Sequence, residues 1–188
     1  MSDPKMTEPP VTDAARAEAA QHPGSWVYAI DPFFEPAGRV PPYGIIGAWK
    51  ADENGQLTAE FRHNPKYRRS PRSLGMKIPT DAVDHAVQCA AAGYADDSAV
   101  LSALLTSVAF LVPGAVSALA AASDPTARKT LSVYTSEQHA PTTVPELQRV
   151  DVRSLIARLP DDAILKLNPG SSASVEIPVE DLRKTTGP

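Results

Sequence analysis

Three residues in the middle of the chain have the types and spacing for chemistry. Asp81, His85 and Cys89 fall at successive i, i+4 steps, so a helix through them stacks carboxylate, imidazole and thiol on one face. Histidine beside cysteine can bind a metal or activate a thiolate. One helix rarely closes a tetrahedral site alone, so the competing reading is a semi-polar flank with a small buried thiol. A second cluster runs from Arg62 to Lys77 and holds six of the eighteen Lys and Arg residues with no acid. Its Arg62, Lys66, Tyr67, Arg68, Arg69 and Arg72 can engage phosphates, an acidic protein face or anionic lipid, or simply form a solvated loop. Phe33 and Phe34, set between prolines, read either as a contact patch or as cover for a small sheet.

Other polar residues suggest less. His22, His63 and His139 sit in expected loops or at strand ends without a visible partner, and we read them as solvated. The pairs Asp96-Asp97 and Asp161-Asp162 precede a helix and a strand, where capping and turn roles suffice. The chain contains no G-x-G-x-x-G, Walker A loop, H-E-x-x-H or G-x-S-x-G. From the residues alone we expect no catalytic residue, no cofactor and no metal.

Composition narrows the classes further. The chain has 188 residues, 43% of them apolar, enough for one compact domain or a small domain with an attached β segment. A formal charge of −4 argues against a chain that coats nucleic acid through net charge. The single cysteine excludes an internal disulfide and any zinc site built from two cysteines. Residues 1–24 mix charge, proline and alanine without an apolar run, so they read as a disordered leader of a cytoplasmic protein. Ser98 to Ser123 carries no charge and is long enough to cross a bilayer, but Pro113-Gly114 splits it and hydroxyl residues dilute it. We read it as core, with no membrane span.

The elements that must position these groups follow from periodicity. Eight of the eleven aromatics lie between Trp26 and Tyr67. There, Trp26 to Ile30 reads as a strand, and Tyr43–Lys50 and Leu57–His63 as a hairpin. A three-residue loop, Glu53-Asn54-Gly55, puts Gly55 at positive φ and pairs Ala51 with Leu57 and Trp49 with Ala59. The basic stretch, with its two prolines, reads as an extended loop. Thr80 caps a helix to about Ala92, and Asp96 or Asp97 caps another that turns Val100, Leu101, Leu104 and Leu105 inward. Ser107 to Val112 is a near-continuous apolar strand expected at the centre of a sheet. Ala115 to Ser123 is open between helix and mobile loop. Leu131–Thr135 is a strand, Val144–Val150 is extended, and Asp151 caps a helix containing Val152, Leu155, Ile156 and Leu159. Ala163–Leu167 and Ala173–Ile177 flank Asn168-Pro169-Gly170, and Pro178 to Lys184 closes with a short helix. Helices and strands mix without strict alternation, so the class is α+β.

Two blocks resemble known families. HPGSWVYAIDP, VPPYGIIGAWKADENGQ and EFRHNPKYRRSPRSLG resemble the actinobacterial type VII secretion system-associated proteins, apart from Arg69, where proline is usual. Ala109-Phe110-Leu111-Val112-Pro113, the strand before Thr135-Ser136, the helix after Val150 and Leu167-Asn168-Pro169-Gly170 resemble the SseB-like domain, with a longer alanine-rich loop after Pro113. The resemblance implies a mixed, mainly antiparallel sheet with helices packed on it. It also implies a cytoplasmic accessory role and carries over no catalytic residue. The expected organisation is a leader at 1–24, an aromatic β segment with the basic loop at 25–78, an SseB-like domain at 79–184 and a tail at 185–188. The expected function is a non-enzymatic adaptor that recognises a protein, either a secretion-system component or a substrate, and no nucleic acid. The alternatives are a small metal- or thiol-dependent enzyme using His85 and Cys89, and an anionic-surface binder using Arg62 to Lys77.

Overall fold

A computed structural model describes residues 8–35, 38–121, 128–144, 146–171 and 174–186. The class is α+β, and the chain divides after Gly75 into two units.

The first unit begins with α1 (Asp13–Gln21), where the sequence suggested disorder; Thr12 caps it by accepting from the Ala15 amide. Nine residues are too few to hold a helix in water. Burial supplies what propensity lacks, because Ala15 and Ala19, one turn apart, pack with Val27, Trp49 and Ala51. Those partners come from an antiparallel sheet of β1 (Trp26–Ile30), β2 (Ile45–Ala51) and β3 (Leu57–His63), in that order. Ala51 pairs with Leu57 as expected, but Trp49 faces Phe61 rather than Ala59 because the register shifts between Trp49 and Ala51. Gly55 has φ +76°, and a Cβ there would stand 2.8 Å from the Ala20 Cα. Glycine is required at that turn both for its conformation and to let α1 pass.

The second unit carries α2 (Ala82–Ala91), α3 (Asp97–Leu105), β4 (Val108–Leu111), α4 (Ala115–Ala121), β5 (Thr130–Val133) and β6 (Gln148–Asp151). It continues with α5 (Val152–Arg158), β7 (Ile164–Leu167), β8 (Val175–Pro178) and α6 (Val179–Thr186). β4 pairs antiparallel with β6; β7 lies between β5, which is parallel to it, and β8, which is antiparallel. A bridge between Phe110 and Tyr134 joins the end of β5 to β4, so β4 is flanked on both sides. It is shorter than Ser107–Val112 and alternates, with Ala109 and Leu111 buried and Val108 and Phe110 only half-buried. Leu104, Leu155, Leu165, Leu167 and Leu182 are sealed in the core. Asp81, not Thr80, is the α2 cap, and Asp96 and Asp151 cap α3 and α5. The alanine-rich run is helical through Ala121; its last two residues lie outside the described set. No helix among the described residues is long and apolar enough to cross a membrane.

Candidate functional site

The basic loop is built around one buried acid. Asp31 follows β1 directly, is fully buried, and receives hydrogen bonds from Ser70 Oγ (2.6 Å), Tyr67 OH (2.6 Å), Ser73 Oγ (2.7 Å) and the Phe33 amide (2.9 Å). Burial pushes its carboxyl up, but the donors from Ser70, Tyr67, Ser73 and Phe33 outweigh that, and the group titrates below the ordinary carboxylate range. The converse holds for Tyr67, which burial and then the adjacent Asp31 push up to about 12. Asn64 adds a second anchor, donating from Nδ2 to the Pro42 and Ile45 carbonyls. The loop is therefore a chain of turns rather than an extended segment. Tyr67 N donates to Asn64 O, Leu74 N to Ser70 O and Gly75 N to Arg72 O.

These anchors sort the expected interaction residues. Tyr67 points inward and belongs to the anchor, whereas Lys66, Arg68, Arg69 and Arg72 remain exposed around it. Arg69 Nη2 donates to the Ser73 carbonyl (2.7 Å), and the Arg68 guanidinium lies over the Tyr43 ring (5.8 Å). Arg62 lies apart from this loop, on the outer sheet face; its guanidinium stacks 4.3 Å above Trp26, with Lys50 Nζ 5.5 Å from the same ring. Tyr28, 58% exposed, stands on that face too. Phe33 and Phe34 are half-buried and meet edge to face at 5.4 Å; Phe34 closes over Gly44 and Tyr43.

Asp81, His85 and Cys89 do not converge. As the α2 cap, Asp81 turns its carboxylate to the Val83 and Asp84 amides and to the hydroxyls of Thr80 and Thr135. Burial raises its pKa, but these donors, led by the Asp84 amide and Thr135, bring it below the usual value. Cys89 Sγ lies 3.7 Å from His85 Nε2 and 3.9 Å from Nδ1. Near-equal distances single out neither nitrogen as a partner, and burial pushes the thiol pKa up, away from the reactive thiolate. Among the described residues no three His, Cys, Asp or Glu side chains group closely enough to share a metal ion.

The structure instead assembles a network that the spacing did not reveal. Asn168, fully buried at φ +45°, accepts from the Thr135 amide and donates to the Thr135 hydroxyl, both at 2.9 Å. Thr135 in turn donates to Asp81. Beside it, buried Asp84 accepts from the Thr80 amide and from Gln88, with His139 Nε2 at 3.6 Å. His139 is thus not the solvated residue expected; its side chain is 14% exposed and also meets Thr80 Oγ1 at 2.9 Å. Both contacts use the same ring nitrogen, whereas a nucleophile–base–orienter relay needs one partner on each. Thr80 already donates its hydroxyl proton to ionised Asp81, so it does not offer that proton to His139. What this network does is fix the β5 and β7 ends against the start of α2. Its one sequence signal is Asn168-Pro169-Gly170, which the sequence offers as a turn and as part of the SseB-like resemblance, without pointing to Thr135 or Asp81.

The sequence profile described as SseB protein N-terminal domain matches residues 83–184, more than half of the chain. No curated protein matches the chain, and no solved structure does.

Proposed function

The chain belongs to the SseB protein N-terminal domain family, and from that premise we propose that it is a non-enzymatic accessory protein of type VII secretion in an actinobacterium. It works in the cytoplasm as an adaptor, recognising a secretion-system component or substrate through the cationic loop of its first unit. The observation that carries this reading is the anchoring of that loop on Asp31 and Asn64. A loop already held by buried bonds presents Lys66, Arg68, Arg69 and Arg72 without a large ordering cost on binding. Arg62 and Trp26 add an aromatic-cationic surface of the kind enriched at protein interfaces. The raised Cys89 thiol and the commitment of the Asp81 carboxylate to capping α2 favour this over the thiol-enzyme alternative.

The test is affinity capture from native actinobacterial lysate with the full chain and with the Arg68→Glu, Arg69→Glu double variant. A secretion component recovered by the parent and lost by the variant supports the proposal. Recovery of none, or equal recovery by both, refutes it.

A further inference from the structure

The second unit contains a groove of about 580 Å³ that the polar network and the basic loop do not touch. Its floor is apolar, made by Val87 and Ala90 of α2 and by Val100 and Leu101 of α3. One wall is β8, the outer strand in the order β5-β7-β8. The Val179 amide donates to the Ala163 carbonyl, in step with the pairs Leu165–Ile177 and Leu167–Val175. Alternation therefore directs Val175 and Ile177 backbone groups toward β7, and leaves the Glu176 N–H and C=O and the Pro178 C=O facing away. An extended chain needs only such an edge to add itself as a further strand.

Charge selects the occupant. Asp97, Glu176 and Asp181 line the groove, and among the described residues no Lys, Arg or His does. Glu176 is met by Lys166 and Arg128, and Asp181 by Lys184, all exposed pairs that contribute little. The Asp97 carboxylate has no hydrogen-bond or ion-pair partner among the described residues. A second copy of this edge would bring the same acids face to face, which disfavours self-pairing. We propose that the groove binds an extended peptide segment of a partner protein, with apolar side chains alternating with Lys or Arg, by strand addition to β8. The assignment is separate from the role of the basic loop.

The probe is a fluorescein-labelled, acetylated heptapeptide of alternating Val and Lys, titrated into the full chain by fluorescence anisotropy. Two control peptides are used, one alternating Val and Glu and one with alternate amides N-methylated. Ala91→Trp fills the groove from an exposed position on α2, and Asp97→Asn removes the unpaired charge without changing shape. We expect saturable binding of the Val/Lys peptide only, weakened about tenfold or more by A91W. Asp97→Asn should weaken it by about two- to fivefold, the range of one exposed ion pair. The Arg68→Glu, Arg69→Glu variant should bind it as the parent does, which separates this groove from the loop. No binding, equal binding of the N-methylated peptide, or indifference to A91W overturns the proposal. Concentration-dependent self-association that A91W abolishes would assign the groove to a second copy and also overturns it. Far-UV circular dichroism of each variant establishes that it is folded.

Discussion

Replacing Asp31 by Asn preserves shape and removes the charge on which four donors converge. A hydrogen bond to a charged group contributes about 1.5–3 kcal/mol, against about 0.5–1.5 for a neutral pair. The three hydroxyl partners therefore lose about 1 kcal/mol each, and the asparagine amide can accept at only one of its two terminal atoms. Neutralisation also relieves the desolvation of a buried carboxylate, which offsets part of that loss. The lowered pKa shows which effect wins, since the donors more than cancel the burial penalty. We expect a net cost of about 1–3 kcal/mol. With a urea dependence of about 1 kcal/mol per molar for so small a unit, the midpoint falls by about 1–3 M. Tryptophan fluorescence reads this unit selectively, because both tryptophans of the chain, Trp26 and Trp49, lie in it. The acid limb supplies the control. The folded pKa lies below the unfolded value of about 3.9, so the stabilisation is complete above that value and is lost as pH falls through the folded one. The gap between parent and D31N must then shrink on acidification. An unchanged midpoint at neutral pH, or a gap that stays constant into acid, would refute the account of Asp31 as a charged anchor.

Tyr67 makes the mirror-image prediction. Its folded pKa of about 12 exceeds the ordinary value of about 10, so the first unit should lose stability as pH rises between them. In Tyr67→Phe that alkaline loss should disappear from the tryptophan signal. Asn168→Ala removes two buried hydrogen bonds at a left-handed residue and should cost about 2–4 kcal/mol, read by thermal melting. Asn168→Gly keeps the conformation and separates the two effects. Cys89 should react with a thiol reagent at least about tenfold more slowly in the native chain than after unfolding, because the thiol is buried and its pKa raised.

Periodicity located most of the elements, and burial explains where it did not. Leu57 and Ala51 face each other as the hairpin loop requires, since turn length is local. The shift that places Trp49 on Phe61, with their rings 5.0 Å apart, lies beyond the turn, and turn chemistry does not encode it. From sequence, Asp13 to Ala20 is a helical stretch too short to stand alone, because only Ala15 and Ala19 commit it to a core and alanine is an ambiguous sign of burial. The cations of the loop were visible as a cluster, but the acid that fixes them was not. Asp31 precedes Ser70 by 39 residues, and a long-range bond leaves no spacing pattern. Likewise, i, i+4 arithmetic grouped Asp81 with Cys89, whereas a cap lies off the helical face that such arithmetic assumes. His139 reaches Asp84 and Thr80 only because the turn Glu137–His139 after β5 folds back against the start of α2.

The alanine ridge on α1 sets a practical boundary for anyone trimming this protein. A shortened version that starts at Ser25 looks sensible on paper, since it keeps every strand. It would nonetheless strip away a wall of the small hydrophobic interior and leave Val27, Trp49 and Ala51 open to water. Such a fragment should clump or bind apolar dyes, while the longer form stays dispersed. The stretch that reads most like dispensable packaging is the lid on the first unit.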